Sequence, residues 1–236
     1  VIKSQLMLYE DINNTVTLET YAARDKKTNA QLVNRTFYKD NSWTTLCLPF
    51  DVDNLNGTPL EGATIMELNT ASRNGFDSTT GMLYLSFKTV TAIEAGKPYI
   101  VKWDNGENIE DPVFENVVVT NYAPITIASE TFELDAINMI GSYAPVYASA
   151  GDQSIMFMGT DKAIYFPTED AALNSFHSYF EIPSLKGIED IAVKNYTIDF
   201  DGVFVGIEDL KVNGREENGE EKLFDLHGRI VKNPVK

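Results

Sequence analysis

The chain has 236 residues, of which 43% are hydrophobic and 11% aromatic, and its 19 Lys and Arg against 35 Asp and Glu give a formal net charge of −16. This charge excludes a nucleic-acid-binding protein, because phosphate backbones would repel the chain, and it argues equally against an anionic membrane surface as partner. The apolar and aromatic fractions are too high for a disordered chain and predict a soluble globular protein.

Short apolar, β-branched and aromatic segments recur along the whole chain, separated by Gly, Asn, Asp and Pro, which is the pattern of an all-β protein. The best helical window, at 171–176, is short and is better interpreted as the approach to a strand. Thirteen strands are predicted, at 14–18, 31–37, 43–48, 64–68, 82–87, 99–103, 113–120, 125–128, 136–143, 154–158, 163–166, 175–182 and 196–200.

The strand at 82–87 shows the alternation expected of a sheet with one buried face, because Leu83, Leu85 and Phe87 fall on one side. Residues 76–81 before it end in Gly81 and predict a hairpin turn, while Pro98 is predicted at the first position of its strand. Strands at this spacing predict an all-β, antiparallel two-sheet β-sandwich, for which a jelly roll is one arrangement.

The sequence changes character near Val205. Residues 206–236 carry six Lys and Arg against seven Asp and Glu and few large apolar groups, so −15 of the net −16 belongs to residues 1–205. We predict a β-sandwich domain at 1–205, in which 1–35 forms N-terminal strands. A hinge and a short hairpin are predicted at 206–236.

Two histidines and one cysteine leave little material for nucleophilic or zinc chemistry. Cys47 lies in an apolar strand, 46–50, that is expected to be central in its sheet, and we interpret it as a small buried hydrophobe rather than a reactive thiol. His177 is predicted to face outward from a strand and His227 to lie in a turn. Neither histidine is assigned a catalytic role.

Acidic loops are the candidates for a calcium site, because carboxylates, Asn side chains and backbone carbonyls are the ligands that calcium prefers. The two clusters are Asp51, Asp53 and Asn54, and then Asp104, Asn105, Glu107 and Asp111. Neither has the spacing of a calcium loop, and the same residue types favour tight β-turns. A structural calcium held by Asp104 and Asp111 is therefore a minor hypothesis, and no other cofactor is predicted.

Carbohydrate binding requires exposed aromatic rings flanked by amides and carboxylates. Trp103 is the better candidate, because it ends a strand beside a polar loop that contains Asn105 and Glu107. Trp43 precedes an apolar strand and is predicted to be buried. A glycan-processing enzyme needs two carboxylates across a cleft, and no pair among the 35 acidic residues stands out.

The chain begins at Val1 with no signal peptide, and it holds no apolar run near the ~20 residues that cross a bilayer. We interpret it as a piece of a longer protein, with no membrane span of its own.

Several strings resemble the C-terminal β-sandwich module of surface and secreted proteins from Bacteroidetes-type gut and oral bacteria, which are often described as adhesins. They are WTTLCLPFDV at 43–52, GATIMEL at 62–68, AIEAGKPYIVKW at 92–103, GSYAPV at 141–146 and FHSYF at 176–180. The resemblance covers about 36–200. VGIE at 205–208 and LFDLHGRIV at 223–231 are similar to the sorting segment at the end of such proteins, although its expected last strand is missing here.

This resemblance implies an exported, cell-surface or extracellular protein without accepted catalytic residues. The leading hypothesis is a non-enzymatic module with an adhesive, anchoring or spacer role, attached to upstream domains of its parent protein. The alternative is a carbohydrate-binding module that uses Trp103, and the weaker alternative is a glycan-processing enzyme. The expected partner is a host or dietary glycan or a protein ligand.

Overall fold

A computed structural model describes residues 5–131, 133–159, 164–188 and 192–207, together with residues 223–224 and 230–231. Within these ranges the chain is mainly β-strand, with one α-helix, α1 (Thr15–Ala22), and one 3-10 turn, Pro183–Leu185. No helix there has the length and apolarity needed to cross a membrane. The strands are β1 (Gln5–Tyr9), β2 (Thr28–Val33), β3 (Thr36–Phe37), β4 (Thr44–Cys47), β5 (Thr64–Leu68), β6 (Gly75–Asp77), β7 (Met82–Val90), β8 (Pro98–Lys102), β9 (Ile109–Glu110), β10 (Val113–Val117), β11 (Thr126–Ser129), β12 (Ile137–Gly141), β13 (Val146–Ala148), β14 (Ile155–Met158), β15 (Ile164–Tyr165), β16 (Ala171–Leu173), β17 (Ser178–Glu181), β18 (Asn195–Phe200), β19 (Val203–Ile207), β20 (Leu223–Phe224) and β21 (Ile230–Val231).

A seven-stranded sheet lies between two smaller sheets. Its order is β19-β18-β7-β5-β8-β4, with β6 beside β7, and the smaller sheets have the orders β11-β12-β17-β14-β15 and β1-β2-β10. Successive side chains of a strand point to opposite faces, so Ile100 of β8 packs in one core while Tyr99 and Val101 pack in the other. The prediction of an all-β, sandwich-like fold is confirmed.

The core between the seven-stranded and five-stranded sheets contains the predicted apolar face of β7. Leu83, Leu85 and Phe87 are buried there, and the Phe87 ring lies 6.2 Å from the ring of Phe180. The predicted hairpin also forms, since β6 pairs with β7 and the N–H of Gly81, at φ +76°, donates to the carbonyl of Asp77 at 2.7 Å. Only glycine adopts this φ at little cost.

The β4 strand lies at the end of its sheet, which corrects the expectation that 46–50 is central. Pro98 does open β8 as predicted, paired with Cys47. On the other side of β4, the N–H of Cys47 donates to the carbonyl of Phe176 at 2.9 Å. Leu46, Cys47 and Leu48 are fully buried, because the segment before β17 covers the strand.

The predicted strand at 14–18 is wrong, because α1 begins at Thr15. Asn13 and Asn14 determine the local structure: the Asn13 side chain accepts the N–H of Thr15, and the Asn14 amide bonds to the backbone of Tyr9 on both its N–H and its carbonyl. These bonds end β1 and turn the chain. The β-branched residues that suggested a strand are then carried on a helix of which only Leu18 is buried.

Two ladders are parallel, whereas the sequence predicted antiparallel sheets. β1 pairs with β2 and β7 pairs with β18 in parallel. A parallel pair needs a crossover connection, and α1 supplies it between β1 and β2. Strands β1, β6, β9, β13, β16 and β19 were not predicted, since each is short or close to turn residues.

The predicted C-terminal hairpin corresponds to β20 and β21, which pair antiparallel. Residues 208–222, 225–229 and 232–236, in which most of the predicted hinge falls, and His227 lie outside the described residues. The strand β19 extends through Val205, so the domain boundary proposed there remains a prediction.

The Cys47 thiol is expected to resist modification in the folded protein. Burial raises its pKa to about 12, so the reactive thiolate is scarce at neutral pH, and the Sγ atom donates to the carbonyl of Gly96 at 3.3 Å. A thiol reagent should therefore label no residue in native buffer and one in denaturing guanidinium. Native labelling at the rate of a free thiol would contradict the buried assignment.

Candidate functional site

Trp103 cannot form the predicted glycan-binding platform, because it is 2% exposed. Its ring stacks on Phe37 with the centroids 5.1 Å apart, and its Nε1–H donates to the carbonyl of Glu61 at 3.1 Å. Strand alternation could have predicted this burial. Trp103 lies two residues after Val101 and four after Tyr99, so the three side chains point to the same face of the sheet. Trp43 is buried, as predicted.

The loop after Trp103 lies on the surface, and the two carboxylates of the calcium hypothesis, Asp104 and Asp111, have different partners. Asn105 and Glu107 are exposed, and Asp104 forms an ion pair with Lys102 at 2.9 Å. The Asp111 carboxylate accepts the N–H of Asn34 at 2.7 Å instead. Across the described residues no three His, Cys, Asp or Glu side chains come together as a metal site.

The other acidic cluster lines a surface cleft. The loop 51–58 forms one wall and β10 with the residues after it forms the other, around a volume of about 250 Å³. Asp53 and Asn54 are exposed at its edge, whereas the Asp51 carboxylate accepts the N–H of Ala95 at 2.7 Å and holds the loop. The cleft therefore places carboxylate and amide groups on a fixed backbone.

A β-bulge shapes the opposite wall of the cleft. The pairing of β10 with β2 shifts register between Phe114 and Val117, and Asn116 adopts φ +57° within the shift. The N–H of Asn116 donates to the Asn29 side chain at 3.2 Å. A bulge re-aims side chains, and here Phe114 stays buried as the floor while Glu115 and Asn116 are exposed.

The cleft is polar and negative. Its eleven lining residues include three carboxylates, two amides and two Thr hydroxyls, with no Lys or Arg among them. Such groups bind hydroxyls and amines by hydrogen bonds, and they repel anions. The sequence predicted the cluster of Asp51, Asp53 and Asn54. It did not predict that β10 forms the other wall of the cleft, because only the fold brings β10 beside this cluster.

His177 does not face outward but lies 3% exposed in a buried polar cluster with Glu10 and Arg35, which corrects the prediction. The alternation used to place it fails, because Phe176 has φ +65° and β17 begins only at Ser178. Phe176, His177 and Ser178 are consequently all buried.

Arg35 is the centre of this cluster. Its Nη1 donates to the Glu10 carboxylate at 2.7 Å and also contacts His177 Nε2. Its Nη2 donates to the carbonyl of Thr45 at 2.8 Å and to the Thr44 hydroxyl at 3.3 Å. Because Arg35 is only 2% exposed, the cluster joins strands internally and offers no surface to a ligand.

Fold and cleft together define the class of this molecule: an all-β, sandwich-like protein with a negative, polar surface cleft. Comparisons of the chain with protein-family models, curated proteins and solved structures found no match.

Proposed function

We propose that this chain is a non-enzymatic module of an exported bacterial surface protein, where it acts in adhesion and spaces other domains from the cell. The resemblance of its strings to Bacteroidetes-type surface modules supports this function. The strings at 43–52, 62–68 and 92–103 contain β4, β5 and β8, which are neighbours in one sheet. A signature that encodes adjacent strands and their turns is typical of a domain type rather than of a reaction.

The cleft between the 51–58 loop and β10 is the surface through which we propose that the protein adheres to its partner. An adhesin needs a surface that binds its partner without transforming it, and the cleft presents amide, hydroxyl and carboxylate groups around the apolar floor of Val52 and Phe114. This combination suits a glycan or a polar peptide segment from a host or from the diet.

A carbohydrate-binding module is the second candidate, and the composition of the same cleft favours it. Asn54, Asn116 and the Thr hydroxyls both donate and accept, as sugar hydroxyls require. The carboxylates of Asp53 and Glu115 would repel sialic and uronic acids and favour neutral or amino sugars. We therefore propose that a glycan binds in this cleft and not at Trp103, which is buried.

Glycan-array binding of the whole chain tests the cleft. The variant Asp53→Ala/Asn54→Ala changes two exposed side chains of the cleft, and the matched control Asn105→Ala/Glu107→Ala changes two exposed side chains of the other polar loop. Binding of neutral glycans should weaken about tenfold or more in the first variant, since each lost hydrogen bond to a charged group costs about 1.5–3 kcal/mol, and should stay unchanged in the control.

Equal binding by both variants would contradict the cleft assignment. If the parent protein bound no glycan and no host matrix protein, the adhesive role would be contradicted and only the spacer role would be left. Release of reducing sugar from a bound polysaccharide would instead support the enzyme hypothesis, with a carboxylate pair in the cleft.

A further inference from the structure

We propose that Asn56 is a site of self-modification, at which the backbone nitrogen of Gly57 closes onto the Asn56 side chain while the Glu61 carboxylate takes up the proton of that nitrogen. The product is an aspartate or an isoaspartate in the loop 51–58. The inference is independent of the proposed function, because the reaction occurs within the loop and involves no ligand.

The described part of the chain contains three Asn-Gly pairs, at 56–57, 74–75 and 105–106. An asparagine closes onto the next backbone nitrogen most readily when that residue is glycine, because glycine has no Cβ to hinder the approach or to restrict the backbone. At Gly57, which has φ +72°, no atom lies within 4 Å of the position that a Cβ would take. The surroundings of this pair are therefore open.

The Glu61 carboxylate contacts the hydrogen that has to leave. The N–H of Gly57 donates to Glu61 Oε2 at 2.8 Å, a distance at which a general base can take a proton. The backbone of Glu61 is held in place, because Leu60 before it is fully buried and the Glu61 carbonyl accepts the Nε1–H of Trp103 at 3.1 Å. The fold thus positions the base before the reaction begins.

The Asn56 side chain is free to turn toward this nitrogen. Asn56 is exposed, and its side-chain amide forms no hydrogen bond to any residue that the structure describes. Its backbone is ordered, since its own N–H donates to the Asn54 side chain at 3.0 Å and the N–H of Thr58 donates to the carbonyl of Leu55 at 3.2 Å. A mobile electrophile is therefore attached to a fixed turn.

The reaction balances with water as the only reagent from outside the chain. The Gly57 nitrogen forms a bond to Cγ of Asn56, its proton passes by way of Glu61 to the side-chain NH₂, and the C–N bond to that group breaks. Ammonia leaves and a succinimide ring remains, which water opens at either carbonyl, and no atom is oxidised or reduced. A neutral amide is replaced by a carboxylate between Asn54 and Thr58, which both line the cleft.

The pair at 74–75 is a comparison site at which the side chain is fixed. Asn74 is fully buried, its amide nitrogen donates to the carbonyl of Asn69 at 2.7 Å, and its side-chain oxygen accepts the N–H of Ser86 at 2.7 Å. These bonds prevent Asn74 from turning toward the nitrogen of Gly75. We expect this site to react most slowly in the folded protein.

The pair at 105–106 is a comparison site without a base. Asn105 is exposed like Asn56, but no carboxylate among the residues that the structure describes accepts the N–H of Gly106. Solvent must take the proton there. The difference between the rates at Asn56 and Asn105 therefore measures what Glu61 contributes.

Peptide mapping by mass spectrometry of the whole chain, incubated at neutral pH, measures each site separately. In the folded protein, Asn56 should be converted about tenfold faster than Asn105 or more, because a positioned general base typically contributes a factor of about 10²–10⁴. In denaturing guanidinium chloride the three sites should react at similar rates, since the fold no longer positions Glu61 or buries Asn74.

The variant Glu61→Gln tests the base, because glutamine still offers an oxygen to the N–H of Gly57 but does not take up its proton. Conversion of Asn56 should then fall to about the rate of Asn105. Glu107→Gln is the matched control, since it removes an exposed carboxylate from the loop of Asn105 and should leave both rates unchanged.

The pH profile is a readout that a merely structural role of Glu61 would not change. Without a base on the protein, the rate should rise in proportion to the hydroxide concentration, as we expect at Asn105 and at Asn56 of Glu61→Gln. At Asn56 of the parent the rate should rise less steeply, because the carboxylate takes the proton.

Three results would overturn the proposal. The first is an Asn56 that reacts no faster than Asn105 in the folded parent. The second is an unchanged rate at Asn56 in Glu61→Gln, and the third is a faster one, which would mean that the bond to Glu61 protects the nitrogen. If Glu61→Gln does not fold, the parent decides, since an Asn56-to-Asn105 rate ratio that is equal in native and denaturing buffer contradicts the role of Glu61.

Discussion

Leu48→Asp is expected to unfold the protein under native conditions. Leu48 is fully buried, and its carbonyl accepts both the N–H of Gly96 at 2.7 Å and the hydroxyl of Tyr143 at 3.1 Å, so the backbone cannot move the new carboxylate to water. An unpaired charge at such a site costs on the order of 4–5 kcal/mol or more, which is comparable to the whole stability of an ordinary domain. Circular dichroism should show no cooperative melting transition.

The matched control is Val16→Asp, which also replaces an aliphatic side chain by a carboxylate, but on a residue of α1 that is 76% exposed. Its melting temperature should stay within a few degrees of the parent, because exposed substitutions usually change stability by about 0.5 kcal/mol or less. A Leu48→Asp protein that melts like Val16→Asp would show that the core around β4 is wrongly assigned.

Arg35→Met is expected to reduce stability by about 3–5 kcal/mol, because it leaves the Glu10 carboxylate buried without its cation. Glu10 is 1% exposed, and its carboxylate accepts from Arg35 at 2.7 Å and from the Asn174 amide at 3.4 Å. The loss should appear as a lower urea midpoint with an unchanged slope.

Two comparisons separate this cost from a loss of packing. Arg73→Met removes an exposed guanidinium that stacks 3.7 Å from the Tyr84 ring, and it should cost about 1 kcal/mol or less. The double variant Glu10→Gln/Arg35→Met should lose less than the sum of its single changes, because no charge stays unpaired. Strict additivity would mean that the two side chains do not act as a pair.

Local patterns predicted most of the strands. The alternation of Leu83, Leu85 and Phe87 and the turn at Gly81 depend on chemistry within a few residues, and the structure confirms both. The strand predicted at 14–18 failed because the hydrogen bonds of Asn13 and Asn14 outweigh the weak β-propensity of Thr15 and Val16.

The candidate sites were less predictable than the strands. Trp103 was interpreted from the polar loop that follows it, whereas the sheet face on which it lies decides its burial. His177 was placed by alternation that a positive φ at Phe176 interrupts. Asp53 and Asn116 meet at one cleft although they are distant in sequence, and no local pattern connects them.

The sequence by itself determined the all-β class, the acidic surface and the burial of Cys47 and Trp43, because composition, strand period and apolar runs act locally. The tertiary structure alone decided that the seven-stranded sheet carries a core on each face, that β4 ends its sheet, and that Glu10, Arg35 and His177 meet in the interior. These features depend on contacts between segments that are far apart in the chain, and such contacts form only when the sheets pack.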